Sequence, residues 1–280
     1  MIKNIAITGS SGYIGSYLSR FLHEKKYQIY EMSRKVQNSS VTQIPFTLGT
    51  INNYTPLKEI DVLIHCAYDF SHHDYLNSQK INLDGTIELF KAAREHGVKK
   101  IIYISSLSAF EKAKSNYGRI KYATEQHAKN YNAVIVRPGL VYDEHAKGIV
   151  GSINKVIKKS KIVPVLSLKE KMFYPCHLND LSLFIEQLVK NDVETTSPFT
   201  AAAEQALSFA ELIRNLASLQ NRKVLLLPIP YSLVFGGLKA AELAKINIGF
   251  RSDSLKNIRF HPAHIAFDEG KKLGVTFRLL

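Results

Sequence analysis

Three residues of this chain have the types and the order needed to move a proton on and off a substrate oxygen: Ser106, Tyr117 and Lys121. Ser106 closes the run Tyr103-Ile104-Ser105-Ser106, which reads as the end of a strand, and Tyr117-Gly118-Arg119-Ile120-Lys121 follows. Tyr117 and Lys121 stand four residues apart and share one face of a helix. A phenol near its usual pKa of about 10 carries protons poorly at neutral pH, and a neighbouring ammonium favours the phenolate. Ser106 can hydrogen-bond the same substrate oxygen. The three suit reversible proton transfer to an oxygen whose carbon gains or loses hydride.

Hydride chemistry needs a carrier, and the chain opens on a place to hold one. Thr8-Gly9-Ser10-Ser11-Gly12-Tyr13-Ile14-Gly15 follows the apolar run Ile5-Ala6-Ile7. It reads as strand, glycine turn and helix, with Ile14, Leu18, Phe21 and Leu22 at helical spacing and a second strand from Tyr27 to Met32. Gly9 makes the tight turn, Gly12 leaves room for a phosphate and Gly15 allows close packing, while the helix N-terminus favours an anion. The spacing is G-x-x-G-x-x-G rather than G-x-G-x-x-G. A bound nicotinamide would add its cationic ring to the pull of Lys121 on Tyr117. Strand two ends at Met32-Ser33-Arg34-Lys35. Ser33 replaces the acid that receives an unmodified ribose, and Arg34 can pair with a 2′-phosphate, so NADP is expected, with NAD the alternative.

The elements that position these groups alternate along the first half. Strands are expected at Asn4–Thr8, Gln28–Met32, Pro45–Leu48, Asp61–Cys66, Lys100–Ser105 and Ala133–Arg137. Helices are expected at Tyr13–Glu24, Tyr75–His96 and Tyr117–Tyr131. Short, uniformly apolar strands between helices imply an α/β, doubly wound parallel Rossmann-type sheet, with a smaller, mainly helical substrate lobe. Residues 1–139, rejoined by about 176–203, form the dinucleotide-binding core. Residues 140–175 and 204–280 form the lobe.

At 280 residues and 45% hydrophobic composition the chain can bury a large core. Two cysteines, Cys66 and Cys176, offer no disulfide framework, and no secretion signal precedes strand one, so the expected location is the cytoplasm. The net charge of +13 is spread over scattered lysines without interleaved aromatics. That excludes a nucleic-acid groove and fits attraction for a small anionic substrate. The apolar stretch 229–248 is interrupted by Lys239, Glu242 and Lys245, which excludes a membrane span and leaves a core helix or a peripheral membrane contact. His72-His73-Asp74 lacks a spaced third partner, so no metal is expected. Cys66 reads as a buried thiol at a strand end beside the cofactor. Arg251 and Arg259 are surface cations or grips for a substrate phosphate.

In the order of these motifs the chain resembles the extended short-chain dehydrogenase/reductase superfamily, in its NAD(P)-dependent epimerase/dehydratase branch. The resemblance rests on the turn Gly9–Gly15, on Asp61-Val62-Leu63-Ile64-His65-Cys66-Ala67 as the strand bordering the cofactor, and on Asn82-Leu83-Asp84-Gly85-Thr86. It continues through Arg137-Pro138-Gly139-Leu140-Val141-Tyr142, His177-Leu178-Asn179-Asp180-Leu181 and Lys272-Leu273-Gly274-Val275. It implies Tyr117 as acid/base, Lys121 for ribose binding and pKa control, and Ser106 for substrate polarisation. The implied cofactor contacts are Gly9, Ser11, Gly12, Tyr13, Ile14, Gly15, Ser33, Arg34, Cys66, Ala67, Asn82, Lys121 and Pro138. Thr50 stands where an aspartate commonly meets adenine. Only residues 107–116 separate the serine from the tyrosine, fewer than in members acting on sugar nucleotides, and Ser108-Ala109-Phe110 replaces Val-Tyr-Gly.

The reading is an NADP(H)-dependent oxidoreductase acting on a carbonyl/alcohol centre, with a nucleotide-activated sugar as the favoured substrate. The alternatives are an epimerase or dehydratase that recycles its nucleotide internally, and a non-catalytic cofactor-binding protein. By analogy with relatives, the two long helices offer a homodimer face.

Overall fold

Ile5, Ala6, Ile7 and Thr8, and likewise Val62, Leu63, Ile64 and His65, are consecutive and all buried, which only a sheet covered on both faces can accommodate. We describe a computed structural model covering residues 3–34, 41–72, 74–167, 172–193, 197–244, 246, 251–262 and 264–280. Strands β1 (Asn4–Thr8), β2 (Gln28–Ser33), β3 (Thr42–Pro45), β4 (Val62–His65), β5 (Lys100–Ile104), β6 (Ala133–Pro138) and β10 (Phe199–Ala201) build one parallel sheet. Its order is β10-β6-β5-β4-β1-β2-β3. β1 therefore lies between β2 and β4, and the switch in winding opens a crevice at its carboxyl end.

Helix α1 (Tyr13–Glu24) buries Gly15, Leu18, Ser19 and Leu22. It lies beside α6 (Leu178–Lys190), whose Leu181, Phe184, Ile185 and Leu188 enter the same core. On the other face, Leu89, Phe90 and Ala93 of α3 (Gly85–Glu95) meet Leu63, Ile101 and Tyr103 of the sheet. Each fully buried leucine, isoleucine or phenylalanine among these contributes about 1.5–3 kcal/mol relative to exposure.

Three boundaries differ from expectation. The third strand pairs over Thr42–Pro45, not Pro45–Leu48, because β2 ends opposite it: Ser33 lies against Pro45, and Phe46 and Leu48 go on as core side chains outside the ladder. The helix expected over Tyr75–His96 is interrupted. A first segment, α2 (Tyr75–Gln79), passes through a π-helical turn at Lys80–Asp84 before α3 begins. α4 (Asn116–Ala128) ends in a 3₁₀ turn over Lys129–Tyr131.

A second hydrophobic cluster gathers α5 (Gly148–Lys159), β8 (Ile162–Leu166), α7 (Phe209–Leu219), β11 (Leu225–Ile229), α8 (Tyr231–Leu243) and α9 (Ser252–Arg259). β7 (Leu140–Tyr142) and β9 (Pro175–His177) pair in parallel where the chain crosses between the clusters. The expected lobe boundary of 204–280 needs one amendment. Phe267, Leu273, Val275 and Phe277 pack on the first cluster, and Arg278 grips the buried Asp180 carboxylate with two nitrogens. The C-terminal segment thus returns to the sheet core.

Candidate active site

The glycine turn is built by close approach. Gly9 adopts φ +68°, and a Cβ there would stand 2.9 Å from the Ala67 backbone nitrogen. A Cβ on Gly15 would come 2.3 Å from the Gly9 carbonyl oxygen. The turn and α1 can therefore nest only with glycine at both positions. Helix α1 starts without a side-chain cap and without an acidic residue in its first turn. Its first N–H groups and dipole are thus directed at an anion, and this cradle fits the pyrophosphate of a dinucleotide.

Below the turn runs a buried polar chain. The Thr8 hydroxyl oxygen accepts from the Cys66 and Ala67 N–H groups at 3.2 and 3.3 Å and meets His65 Nδ1 at 2.7 Å. His65 Nε2 meets Thr86 Oγ1 at 2.9 Å, and that hydroxyl donates to the Asn82 carbonyl at 2.6 Å. The directions are mutually consistent if His65 is neutral with its proton on Nε2. Burial, aided by the Lys121 charge, holds its pKa down to about 3.

The crevice of about 520 Å³ above this floor is lined by Gly9, Ser11, Gly12, Tyr13, Ile14 and Gly15. Ser33, Arg34, Cys66, Ala67, Tyr117 and Lys121 also line it. Burial pushes the Cys66 thiol up to about 12, so it stays protonated. A second cleft of about 560 Å³ contains Ser106 and Pro138. The two share Tyr68, Phe70, Tyr117 and Gly148. The phenol thus stands where the two clefts meet.

Several contacts hold it there. The N-cap of α4 is Ser115, whose hydroxyl accepts from the Gly118 N–H at 2.9 Å and donates to Asn257 of α9. Asp253 of α9 accepts from the Asn116 N–H at 3.0 Å. A Cβ on Gly118 would lie 2.4 Å from the Ser108 carbonyl oxygen, so this glycine lets the Ser106–Ser108 loop close on the helix. Lys121 is buried and donates to the Ile104 carbonyl at 2.8 Å. Behind it, Arg137 pairs with the buried Glu125 through bonds of 2.9 and 2.5 Å, and the Ser105 hydroxyl donates to the same carboxylate at 2.5 Å.

The electrostatics differ from the expected lowering of the phenol's pKa. In the protein chain itself, burial pushes Tyr117 up to about 12, and the Ser106 hydrogen bond only partly opposes this. The same burial brings Lys121 down to about 8. Desolvation outweighs the Ser106 hydrogen bond at Tyr117 and the Cys66 and Glu125 charges at Lys121.

Three expected cofactor contacts are not among the residues lining the first crevice. Thr50 is exposed, donates to the Thr47 carbonyl at 3.0 Å and lies outside the crevice, whose wall at that point is Phe46, Thr47 and Leu48. Asn82 points behind the wall. Its amide accepts from the Asp69 N–H at 2.7 Å and donates to the Asp69 and Ser78 carbonyls at 3.0 Å, fixing the loop after β4. Pro138 lines the second cleft. Lys35 and His73 lie outside the described residues. Among the described residues, no group of three or more His, Cys, Asp or Glu is arranged to hold a metal, and no helix is long and apolar enough to cross a membrane.

Sequence reasoning missed the aromatic wall. Phe70 stacks on Tyr117 at 5.8 Å and 22°, and Tyr68 meets it edge-on at 4.9 Å. Lys121 Nζ lies 5.4 Å from the Tyr68 ring and 4.6 Å from the Tyr103 ring. Aromatics two apart, directly after a strand that borders the crevice, were the available signal. Arg251 lines the second cleft and makes no ion pair among the described residues, whereas Arg259 lies over the Tyr231 ring.

Residues 5–172 match the model of the NAD dependent epimerase/dehydratase family. A UDP-glucose 4-epimerase of Vibrio cholerae is 25% identical, the match covering 82% of this chain and 80% of that one. A ceramide reductase of Caulobacter vibrioides is 26% identical over 84% of this chain and 76% of that protein. The solved UDP-glucose 4-epimerase of Thermotoga maritima, crystallised with UDP-glucose, superposes with a TM-score of 0.75 at 17% identity, covering 99% of this chain and 94% of that one.

Proposed function

The chain belongs to the NAD dependent epimerase/dehydratase family, and from that premise we propose that it is an NADP(H)-dependent oxidoreductase acting on a carbonyl/alcohol centre of an anionic substrate. The observation carrying this reading is the position of Tyr117 where the two clefts join, with Lys121 on the cofactor side and Ser106 on the substrate side. The bound nicotinamide would supply or take up the hydride. Ser106 orients the substrate oxygen, and the Tyr117 hydroxyl gives it a proton or takes one away. Lys121 holds positive charge in the crevice behind the phenol, fixed by the Ile104 carbonyl.

Two features support the finer choices. Arg34, at the end of β2, is largely exposed and has Asp69 at 3.4 Å as its ion-pair partner, an arrangement open to a 2′-phosphate. Arg251 brings a cation into the substrate cleft, which suits the diphosphate of a nucleotide-activated sugar.

An epimerase or dehydratase with an internally closed redox cycle is the second reading, favoured by the family match and the Vibrio relative. Stoichiometry separates the two. Under the first, NADPH disappears in equal measure with product when a panel of nucleotide sugars is supplied. Turnover without added nucleotide would establish the second instead. In either case Tyr117→Phe should lower kcat by about 10²–10⁴-fold, the usual share of a positioned acid/base. Unchanged turnover would overturn the assignment of Tyr117 as the acid/base.

A further inference from the structure

Parallel sheets are normally covered on both faces because their strands are apolar on both. The two-stranded parallel sheet of the second cluster departs from this. Its inner face, Val163 and Val165 of β8, is buried against Leu212 and Leu216 of α7. Its outer face is apolar as well. Ile162 pairs in register with Leu225, and Pro164 with Leu227. Ile162, Leu225 and Leu227 are 51%, 67% and 53% exposed, and Leu219, at the end of α7, is 65% exposed. Among the described residues nothing covers them.

The charges that flank these two strands in sequence, Lys158, Lys159, Lys161, Arg222 and Lys223, share one sign. Lys161 directly precedes Ile162, and its carbonyl accepts from the Leu225 N–H at 2.7 Å. Arg222 bonds the Lys158 carbonyl at 2.6 Å, bringing the end of α5 to the start of β11. Residues 145–167 contain five lysines and residues 212–241 four lysines and arginines, with no aspartate or glutamate in either segment. A globular partner or a second copy of this chain would need a carboxylate-rich apolar surface to match. A bilayer with anionic headgroups offers negative charge over an apolar interior directly.

We propose that the outer face of β8 and β11, with Lys158, Lys161, Arg222 and Lys223 around it, docks this protein on the headgroup surface of anionic membranes. The leucines and Ile162 enter the acyl boundary while the cations stay among the headgroups. The contact is peripheral. It adds a location to the enzyme and stands independently of the reaction assigned to it.

Co-sedimentation of the full-length chain with vesicles tests this. Vesicles of phosphatidylcholine with about one third phosphatidylglycerol should carry the protein down, whereas pure phosphatidylcholine should not, and about 0.5 M salt should weaken the binding. Leu225→Ser combined with Leu227→Ser should lower the partition coefficient roughly tenfold or more, and Lys161→Gln with Arg222→Gln by a similar factor. Circular dichroism and the thermal midpoint would establish that both variants fold. Equal binding to neutral vesicles overturns the proposal. So does undiminished binding of the double-serine variant, which would leave only general attraction to polyanions. A concentration-dependent dimer that the serines disperse, with no vesicle binding, would assign the face to a second copy instead.

Discussion

The Tyr13 hydroxyl donates to the Asp143 carboxylate at 2.7 Å, joining the first turn of α1 to the loop after β7 across 130 residues of sequence. Both ends border the cofactor crevice: Tyr13 and Gly12 on one side, Val141 and Lys147 on the other. Burial and the Asp143 carboxylate both raise the pKa of this phenol, so it remains a donor at any working pH. The bond is a strap between the two sides of this crevice. Tyr13→Phe removes it without changing the ring, at about 1 kcal/mol, or roughly fivefold. The expected result is faster cofactor release and about fivefold weaker NADPH binding by fluorescence titration, with the thermal midpoint of the chain little changed. Unaltered release would mean that the strap does not hold the crevice closed.

Nucleotide preference should reside in Arg34. Its guanidinium is exposed and only loosely paired with Asp69, so a 2′-phosphate can displace that partner. Arg34→Gln is expected to weaken NADPH binding about tenfold, the worth of a charge-assisted bond at a solvent-screened site, and to leave NADH binding unchanged. Tighter NADH than NADPH binding in the unaltered protein would contradict the assignment.

The neutral His65 under the crevice should make the fold sensitive to acid. Below pH 6.5 the unfolded chain takes up a proton at this imidazole, which the folded chain refuses until pH nears 3. Stability is therefore lost as pH falls through that window, by at most about 2–3 kcal/mol between pH 7 and 4.5. Urea midpoints at the two pH values would measure it. His65→Gln should be less stable at pH 7 and should show a flatter decline. Equal slopes for the two proteins would mean that His65 is not the group responsible.

Most of what was legible in the sequence was local. Glycines in a fixed rhythm after an apolar strand, and a tyrosine and lysine one helical turn apart, announce their geometry through backbone rules alone, and the sheet follows from uniformly apolar strands. What escaped depended on contacts distant in sequence. Asn82 reads as a cofactor contact until the π-helical turn at Lys80–Asp84 points its amide at Asp69. Thr50 is the local exception: its near neighbours Phe46, Thr47 and Leu48 line the crevice and it does not. The clamp of Asp253 and Asn257 on α4 joins residues more than 130 apart, a separation no periodicity reveals. The phenol's upward shift also depended on tertiary burial. Spacing gives the distance between a tyrosine and a lysine, but not how much water each has lost.

That loss of water makes a final prediction about alkaline pH. Lys121 gives up its proton near pH 8 when folded, because burial disfavours the ammonium, whereas the unfolded chain keeps its proton to about 10.5. Two consequences follow from the one shift. The positive charge behind Tyr117 disappears above pH 8, so kcat/KM should fall there by about tenfold per pH unit. Meanwhile the penalty of burying a charge fades as pH rises from 8 to 10.5, so the stability of the chain relative to Lys121→Met should increase across that interval. Lys121→Arg keeps its charge throughout. It should start with lower activity, because a planar guanidinium does not reproduce the bond to the Ile104 carbonyl, but its profile should stay level to about pH 10. A limb near pH 8 that persists in Lys121→Arg would assign that titration to a group other than Lys121.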